Sequence, residues 1–343
     1  TYHKFKIHSN IYSRFIKHTF FWRYNIALSN VVLKNLEEKD VDLIICHDLP
    51  TLMPAIALRK KLDSRLLYDS LEIYTETINQ FFPNISGVKK VISSILIKFM
   101  RKFGSKAENR MMFSCDIITT VNESLANYFE TKYQQQGIHV VMNCPKLSKP
   151  FETEINFRNK FDLKTTDTIF LYQGVLNEGR GLSKLIDAFS IVVKSNGSIK
   201  LIILGDGVLK NQLKTQVLEL NLEQTVFFHK SVPYKNLLHF TKAADFGINL
   251  LEAYNLSKKL ASPNKLFEYL QAEIPVLCSY SPENNIVMND FNIGIQCEND
   301  VNSISKGIFD LSGNYQLNIN EFIKAKKRYC WENQEKKLLN IVK

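Results

Sequence analysis

Short apolar runs, too brief for buried helices, recur along the chain and alternate with longer stretches in which apolar residues return every third or fourth position. Asp42–Cys46 (DLIIC), Arg65–Asp69, Asp116–Val121 and His139–Asn143 predict four strands in the first part. Thr168–Tyr172, Lys200–Leu204, Val226–His229, Phe246–Leu251, Ile274–Ser279 and Ile293–Cys297 predict six more. Helical spacing is clearest in Leu52–Lys61, Leu182–Val193, Val208–Leu220 and Tyr234–Ala244, and again in Asn320–Lys343, where Trp331 offers an apolar anchor. Near-continuous apolar strands are those buried on both faces, and strand–helix alternation builds a parallel, doubly wound sheet. The alternation breaks once, at Cys144–Pro150 (CPKLSKP), which reads as a linker between domains.

Length agrees with that break, since 343 residues exceed one ordinary open α/β domain. The expected class is therefore α/β: two Rossmann-like, doubly wound parallel-sheet domains facing a cleft. Their expected spans are 1–147 and 148–319, with 320–343 as a C-terminal helix packing back across the join. Apolar residues make up 45% and charged residues 23%, which excludes a disordered chain. The six cysteines lack CxxC or Cys/His spacing and several sit in apolar runs, which fits reduced thiols in a cytoplasm. No run approaches the roughly 18 apolar residues of a membrane span, and no signal-peptide pattern opens the chain. The net charge of +10 favours an acidic partner: nucleic acid, an anionic membrane or a phosphorylated substrate.

Two segments carry much of that charge. Residues 1–40 mix aromatic and basic side chains, as in FIKHTFFWRY, before a predicted helix through Leu36. Val88–Lys106 places apolar residues at 88, 91, 92, 95, 96, 99 and 103, and sets Lys89, Lys90, Lys98, Arg101, Lys102 and Lys106 on the rest of the helix with no acid. Such a helix either packs its apolar row on a core with a solvated basic face or lies on an anionic membrane.

The densest chemistry lies in Ala244–Tyr280. Between its two strands, Ser262 is a natural N-cap, Pro263 suits the first helical position, and Leu266, Phe267 and Leu270 share a face. A helix that starts beyond the carboxyl end of a parallel strand offers free N–H groups and a positive dipole end to phosphate. Lys265 adds a full charge, and Glu268, one turn on, can accept hydrogen bonds from a ribose diol. The alternative is an i,i+3 surface ion pair. Two further strand ends carry glycine: Gly174–Leu182 (GVLNEGRGL), with Arg180 and Gly181 opening a helix, and Gly205-Asp206-Gly207. Neither is GxGxxG, and neither has the Lys-Ser/Thr pair of a P-loop, so dinucleotide oxidoreduction and ATP hydrolysis are unsupported. Three strand ends thus aim glycine, guanidinium, ammonium and carboxylate at one sheet edge.

The runs GVLNEGRGLSKLIDAF, LIILGDGVLKNQL, VFFHKSVPYKNLLHFTKAADFGINLLE and SPNKLFEYLQAEIPVL resemble the donor half of the retaining glycosyltransferases of family 4, which have the GT-B fold. ICHDLPTLMPAIAL, YDSLEIYTE and Trp331-Glu332-Asn333-Gln334 extend the likeness over nearly the whole chain. The resemblance implies transfer of a hexosyl unit from a UDP- or GDP-linked sugar to a glycan or lipid-linked glycan, with retention and with no metal or cofactor. It makes the first domain acceptor-side and the second the donor domain. Gly174, Arg180, Gly181, Asp206, Gly207, Ser262, Asn264, Lys265 and Glu268 would bind donor, with Arg180 and Lys265 on the diphosphate and Glu268 on the ribose. Asp40-Val41-Asp42 matches a DxD string but leads into a buried strand and reads as a boundary turn.

The chain departs from the family at four places. Val175 stands where a second diphosphate cation is usual, and Leu260 replaces the first glutamate of the usual pair, for which Glu252 is the substitute. Leu71 stands in Asp69-Ser70-Leu71-Glu72 where relatives carry histidine, which leaves His47 as the catalytic candidate. The family's first strand and glycine loop have no counterpart here, whether by truncation or by reduction of the domain. The expected setting is cytoplasmic, at the inner face of a membrane, with Val88–Lys106 as the anionic-surface contact and no nucleic-acid partner, since no known module's aromatic-basic motif is present. Two alternatives stay open: a catalytically degenerate GT-B partner subunit, and a GT-B epimerase.

Overall fold

A computed structural model describes residues 26–36, 40–81, 88–149, 152–262 and 264–343. It divides into two compact units, residues 1–141 with 341–343, and residues 142–340. The aromatic-basic segment FIKHTFFWRY, Pro150 and Pro263 lie outside the described residues.

In the first unit, α1 (Ile26–Asn35) precedes β1 (Leu43–His47), α2 (Leu49–Leu62) and β2 (Arg65–Ser70). A 3-10 helix (Tyr74–Phe81) leads to α3 (Val88–Met112), then β3 (Ile117–Thr120), α4 (Glu123–Tyr133) and β4 (His139–Val140). The strands pair in parallel in the order β1-β2-β3-β4. Asp42 leads into β1 and accepts Arg65 N–H through its backbone carbonyl.

The second unit runs α5 (Phe157–Lys160), β5 (Thr168–Gln173), α6 (Leu182–Ser195), β6 (Ile199–Leu204), α7 (Lys210–Glu219), β7 (Val226–His229), α8 (Tyr234–Lys242) and β8 (Phe246–Asn249). It continues through α9 (Leu256–Lys259), α10 (Asn264–Ala272), β9 (Val276–Ser279), α11 (Pro282–Asp290), β10 (Gly294–Cys297), α12 (Val301–Asn314), α13 (Ile319–Arg328) and α14 (Trp331–Val342). Its six parallel strands follow the order β10-β9-β8-β5-β6-β7. Both faces are covered, and β5 shows why the strand is apolar throughout. Phe170 and Tyr172 pack with Leu185, Phe189 and Ile308 on one side, while Ile169 and Leu171 pack with Phe267, Leu270 and Phe322 on the other. The chain passes from β7 on one side of β5 to β8 on the other, so the strand order reverses between β5 and β8. Ligands of open α/β sheets bind in the crevice beyond the strand ends at such a point.

Gly247 sets α10 against the sheet. A Cβ there would lie 2.5 Å from the Tyr269 ring, and the Tyr269 hydroxyl donates to Leu171 O (3.0 Å) and Ile248 O (3.1 Å). That anchor fixes the rotation of α10 and with it the direction of Lys265 and Glu268.

The join, the C-terminal segment and α3 add detail to the expectation. Cys144–Lys149 is not a loose tether: Ser148 donates through N–H to Gln271 Oε1 (2.8 Å) and through Oγ to Gln271 O (2.7 Å), and Leu147 N–H reaches Glu332 (2.9 Å). The C-terminal helical segment is two helices, broken at Tyr329 and Cys330, both buried against the unit. In α3 the residues buried are Met100, Gly104, Glu108 and Met112. Ile92, Ile95, Leu96, Phe99 and Phe103 of the apolar row are exposed, with Ile95 at 65% and Phe99 at 66%. Glu108 binds the row that does pack, accepting from Tyr68 (2.9 Å) and Tyr133 (2.7 Å).

Candidate functional site

The loops after β5, β6 and β8 converge at the switch point because glycine allows their backbones to touch. A Cβ on Gly205 would stand 1.9 Å from Gly174 O, and one on Gly207 would stand 2.4 Å from Leu176 O. Leu176 N–H donates to Asp206 O and Leu209 N–H to Leu176 O, which stitches the first two loops together. Glu252 N–H donates to Gly179 O (3.0 Å), joining the loop after β8 to the loop after β5. Gly181, at φ +63°, stands at the N-cap of α6, and among the described residues no side-chain cap covers the first-turn N–H groups, the place where a helix receives an anion.

Lys265 crosses this crevice. A Cβ on Gly174 would come within 2.9 Å of Lys265 Cε, so the glycine makes room for the lysine stem. Lys265 Nζ is buried, lies 4.1 Å from the Tyr172 ring centroid, and has no hydrogen-bond partner among the described residues. Burial and the nearby Arg180 guanidinium pull its pKa from 10.5 down to about 7, against the opposing pull of Glu268. Arg180 itself makes no hydrogen bond or ion pair among the described residues. A buried ammonium normally finds a partner. Two unpartnered cations close enough to repel each other define a site for an anion.

Glu268 is not half of a surface ion pair. Its Oε2 accepts from Gln173 Nε2 (2.7 Å), and Gln173 Oε1 accepts from the buried Thr241 hydroxyl (2.8 Å). Burial pushes its carboxyl pKa up, and the Gln173 hydrogen bond and Lys265 oppose that. The carboxylate is held in place at the end of β5 with its remaining lone pairs available.

The other expected donor residues are placed differently. Asp206 is exposed and pairs with Lys210 (3.1 Å), which holds its carboxyl below the ordinary range; it contributes its backbone to the loop junction. Ser262 is half-buried and Asn264 is exposed at the start of α10. Glu252 pairs with Lys184 in the first turn of α6 (3.1 Å). His47 belongs to the first unit, at the carboxyl end of β1. Its Nδ1 lies 2.9 Å from Asp69 Oδ2, its side chain is 64% exposed, and Asp69 Oδ1 accepts from Thr119 (2.8 Å). Leu71 is 41% exposed. Among the described residues no group of three or more His, Cys, Asp or Glu side chains is placed to hold a metal ion.

Sequence reasoning missed Gln173, Thr241 and Asn249. Asn249 ends β8 with both side-chain polar atoms buried and without a hydrogen-bond partner among the described residues. The available signal for two of them was a polar residue ending an otherwise apolar strand, TIFLYQ and FGIN, at the sheet edge where sites form. Thr241, inside a helix, gave none.

The family model described as Glycosyl transferases group 1 matches residues 153–328, just over half of the chain. The chain belongs to the glycosyl transferases group 1 family. Among relatives in this family, an uncharacterized glycosyltransferase of Methanocaldococcus jannaschii is 27% identical over 295 residues, 81% of this chain and 66% of that protein. The alpha-monoglucosyldiacylglycerol synthase of Streptococcus pneumoniae is 24% identical over 177 residues, 51% of this chain and 38% of the synthase. The chain thus spans less than two thirds of either relative. TarM of S. aureus, solved as a mutant in complex with fondaparinux, alpha-GlcNAc-glycerol and UDP, superposes with a TM-score of 0.64 at 18% identity, over 93% of this chain and 59% of its own. The group 1 chain has the GT-B architecture, two Rossmann-like α/β units with parallel sheets.

Proposed function

We propose that this chain transfers a hexosyl unit from a nucleoside-diphosphate sugar, UDP- or GDP-linked, to a glycan or lipid-linked glycan, with retention and without a metal ion. The observation that carries the reading is Lys265 Nζ, buried beside Arg180 at the switch point, with neither cation holding a hydrogen-bond or ion-pair partner among the described residues. A diphosphate supplies the missing anion. Charge that grows on the leaving nucleoside diphosphate then meets two fixed cations and the first-turn N–H groups of α6, stabilisation that increases toward the transition state. Glu268, oriented by Gln173 and Thr241, accepts hydrogen bonds from the ribose hydroxyls. Asp69 orients His47 as a proton carrier on the acceptor side. UDP in the TarM complex and a glycolipid synthase among the relatives support the donor and acceptor classes.

Calorimetric titration with UDP and GDP tests the donor site, with micromolar-range binding expected from one nucleotide and lost in Lys265→Ala and Glu268→Ala. Mass spectrometry of nucleotide-sugar consumption, unchanged by a chelator, tests transfer. Absence of nucleotide binding refutes the reading. Binding without turnover under any donor favours the degenerate partner subunit, which Leu71 supports by standing where relatives carry histidine.

The membrane part of the reading rests on α3, whose exposed Ile92, Ile95, Leu96, Phe99 and Phe103 lie on a helix rich in lysine and arginine. No helix among the described residues is long and apolar enough to cross a membrane. We place the protein at the cytoplasmic face of an anionic bilayer, with flotation on anionic but not zwitterionic vesicles as the expected result. Equal partition onto both would overturn it.

A further inference from the structure

Beside the apolar ridge of α3 lies an open cavity of about 470 Å³, lined by the 3-10 helix, α3 and α4. Lys98, Arg101, Lys102, Lys106 and Lys132 line it against a single carboxylate, Glu76. Glu76 is already engaged by Arg101 (3.3 Å). Lys98, Lys102 and Lys106 make no ion pair among the described residues, so the cavity holds a large excess of positive charge. Three of its lining residues carry a buried polar atom with no hydrogen-bond partner among the described residues: Arg101 Nε, Thr75 Oγ1 and Asn109 Oδ1. Lys132 sits over the Tyr128 and Tyr133 rings (4.9 and 5.4 Å), which hold its ammonium at the rim.

The ridge and the cavity are about a third of a turn apart on one helix. With 100° between successive residues, Ile92, Ile95, Leu96, Phe99 and Phe103 form one stripe, and Lys98, Arg101, Lys102, Ser105 and Asn109 form the stripe beside it. Lys102 borders the ridge, and Lys106 falls on the ridge's own edge between Ile95 and Phe99. A bilayer surface presents that sequence of environments, acyl chains below and phosphate above. We propose that the cavity binds the phosphate of an anionic lipid headgroup while the ridge rests on the acyl layer. The inference rests on the membrane reading above and adds to it a saturable pocket with a defined ligand group.

The test uses a soluble headgroup phosphate and a membrane in parallel. Glycerol 3-phosphate is titrated into the whole chain by calorimetry, for wild type and Lys98→Gln/Lys102→Gln. Flotation on phosphatidylcholine vesicles with and without phosphatidylglycerol is run on the same proteins and repeated with glycerol 3-phosphate as competitor. We expect saturable binding that weakens about tenfold in the double variant, and vesicle capture that falls in the variant and is competed by the soluble phosphate. Folding of the variant is checked by its circular-dichroism spectrum and melting temperature, and UDP binding, which resides in the other unit, is expected to be unchanged. Absence of saturable glycerol 3-phosphate binding, or binding indifferent to the two lysines, overturns the pocket while leaving surface docking to stand on flotation alone. Saturable binding with uncompeted vesicle capture shows a free phosphorylated solute as the occupant and overturns the headgroup assignment. Wild-type protein that ignores anionic vesicles overturns both docking and headgroup, and UDP binding in that case still supports the donor site.

Discussion

Lys265→Met separates a binding cation from a structural one, because the two roles predict opposite changes in stability. Holding the ammonium at a pKa of about 7 instead of 10.5 disfavours its protonated state by about 5 kcal/mol, at about 1.4 kcal/mol for each factor of ten. At pH 7 half of the folded molecules escape by holding the amine neutral, which leaves a cost of about 4 kcal/mol relative to an unfolded chain. Methionine keeps most of the stem's packing against Gly174 but gives up the cation–π contact with Tyr172, worth about 2 kcal/mol when desolvated. The net expectation is a gain of about 2 kcal/mol in the unliganded protein, or about 4 to 8 °C in the melting of a unit this size. The pH dependence has a definite sign. Between about pH 7 and 10.5 the unfolded chain holds a proton on this lysine that the folded chain has lost, so wild-type stability from this group rises with pH across that window. The variant lacks that rise. UDP affinity moves the other way, falling about 100-fold with the loss of a charge-assisted contact of about 3 kcal/mol. Wild-type binding at pH 7 takes up about half a proton as the diphosphate restores the ammonium, read by calorimetry in two buffers of different ionisation enthalpy. A variant that melts lower than wild type and binds UDP equally well would refute the reasoning.

Gly205→Ala drives a Cβ to 1.9 Å from Gly174 O, and a loss of about 3 kcal/mol or more is expected in urea unfolding; a loss below 1 kcal/mol would show that the loop junction yields. Gln173→Leu removes the donor to Glu268, with nucleotide affinity falling about tenfold in calorimetry and an unchanged Kd counting against the relay. His47→Gln is expected to lower kcat by about 10² to 10⁴ with UDP affinity intact, and full turnover would remove His47 from the reaction.

Much of the donor site was legible because its residues sit at fixed places in a repeating unit. A glycine after an apolar strand, a basic residue opening the next helix and a Ser-Pro start are local signals, so Gly174, Arg180 and Lys265 could be read without knowing the sheet order. Gln173 was half legible as a polar strand end. Thr241 was not, since its role depends on α8 packing beside β5 across many intervening residues. The helix α3 left two readings open for a specific reason. Periodicity reports which residues share a face, but it does not report whether that face is covered, and here the covered row runs through Met100, Gly104, Glu108 and Met112.

By itself the sequence determined two parallel α/β units, the placement of most strands and the chemical type of the donor residues, because these follow from period, burial and strand-end position. Only the tertiary structure decided that Lys265 is a buried cation without a hydrogen-bond partner among the described residues rather than half of a surface pair with Glu268. Among the described residues, Nζ could be left without a hydrogen-bond partner only where Gly174 admits the stem, Gln173 takes the carboxylate and the strand order reverses between β5 and β8. Those three conditions come from different elements and meet only when the sheet is assembled.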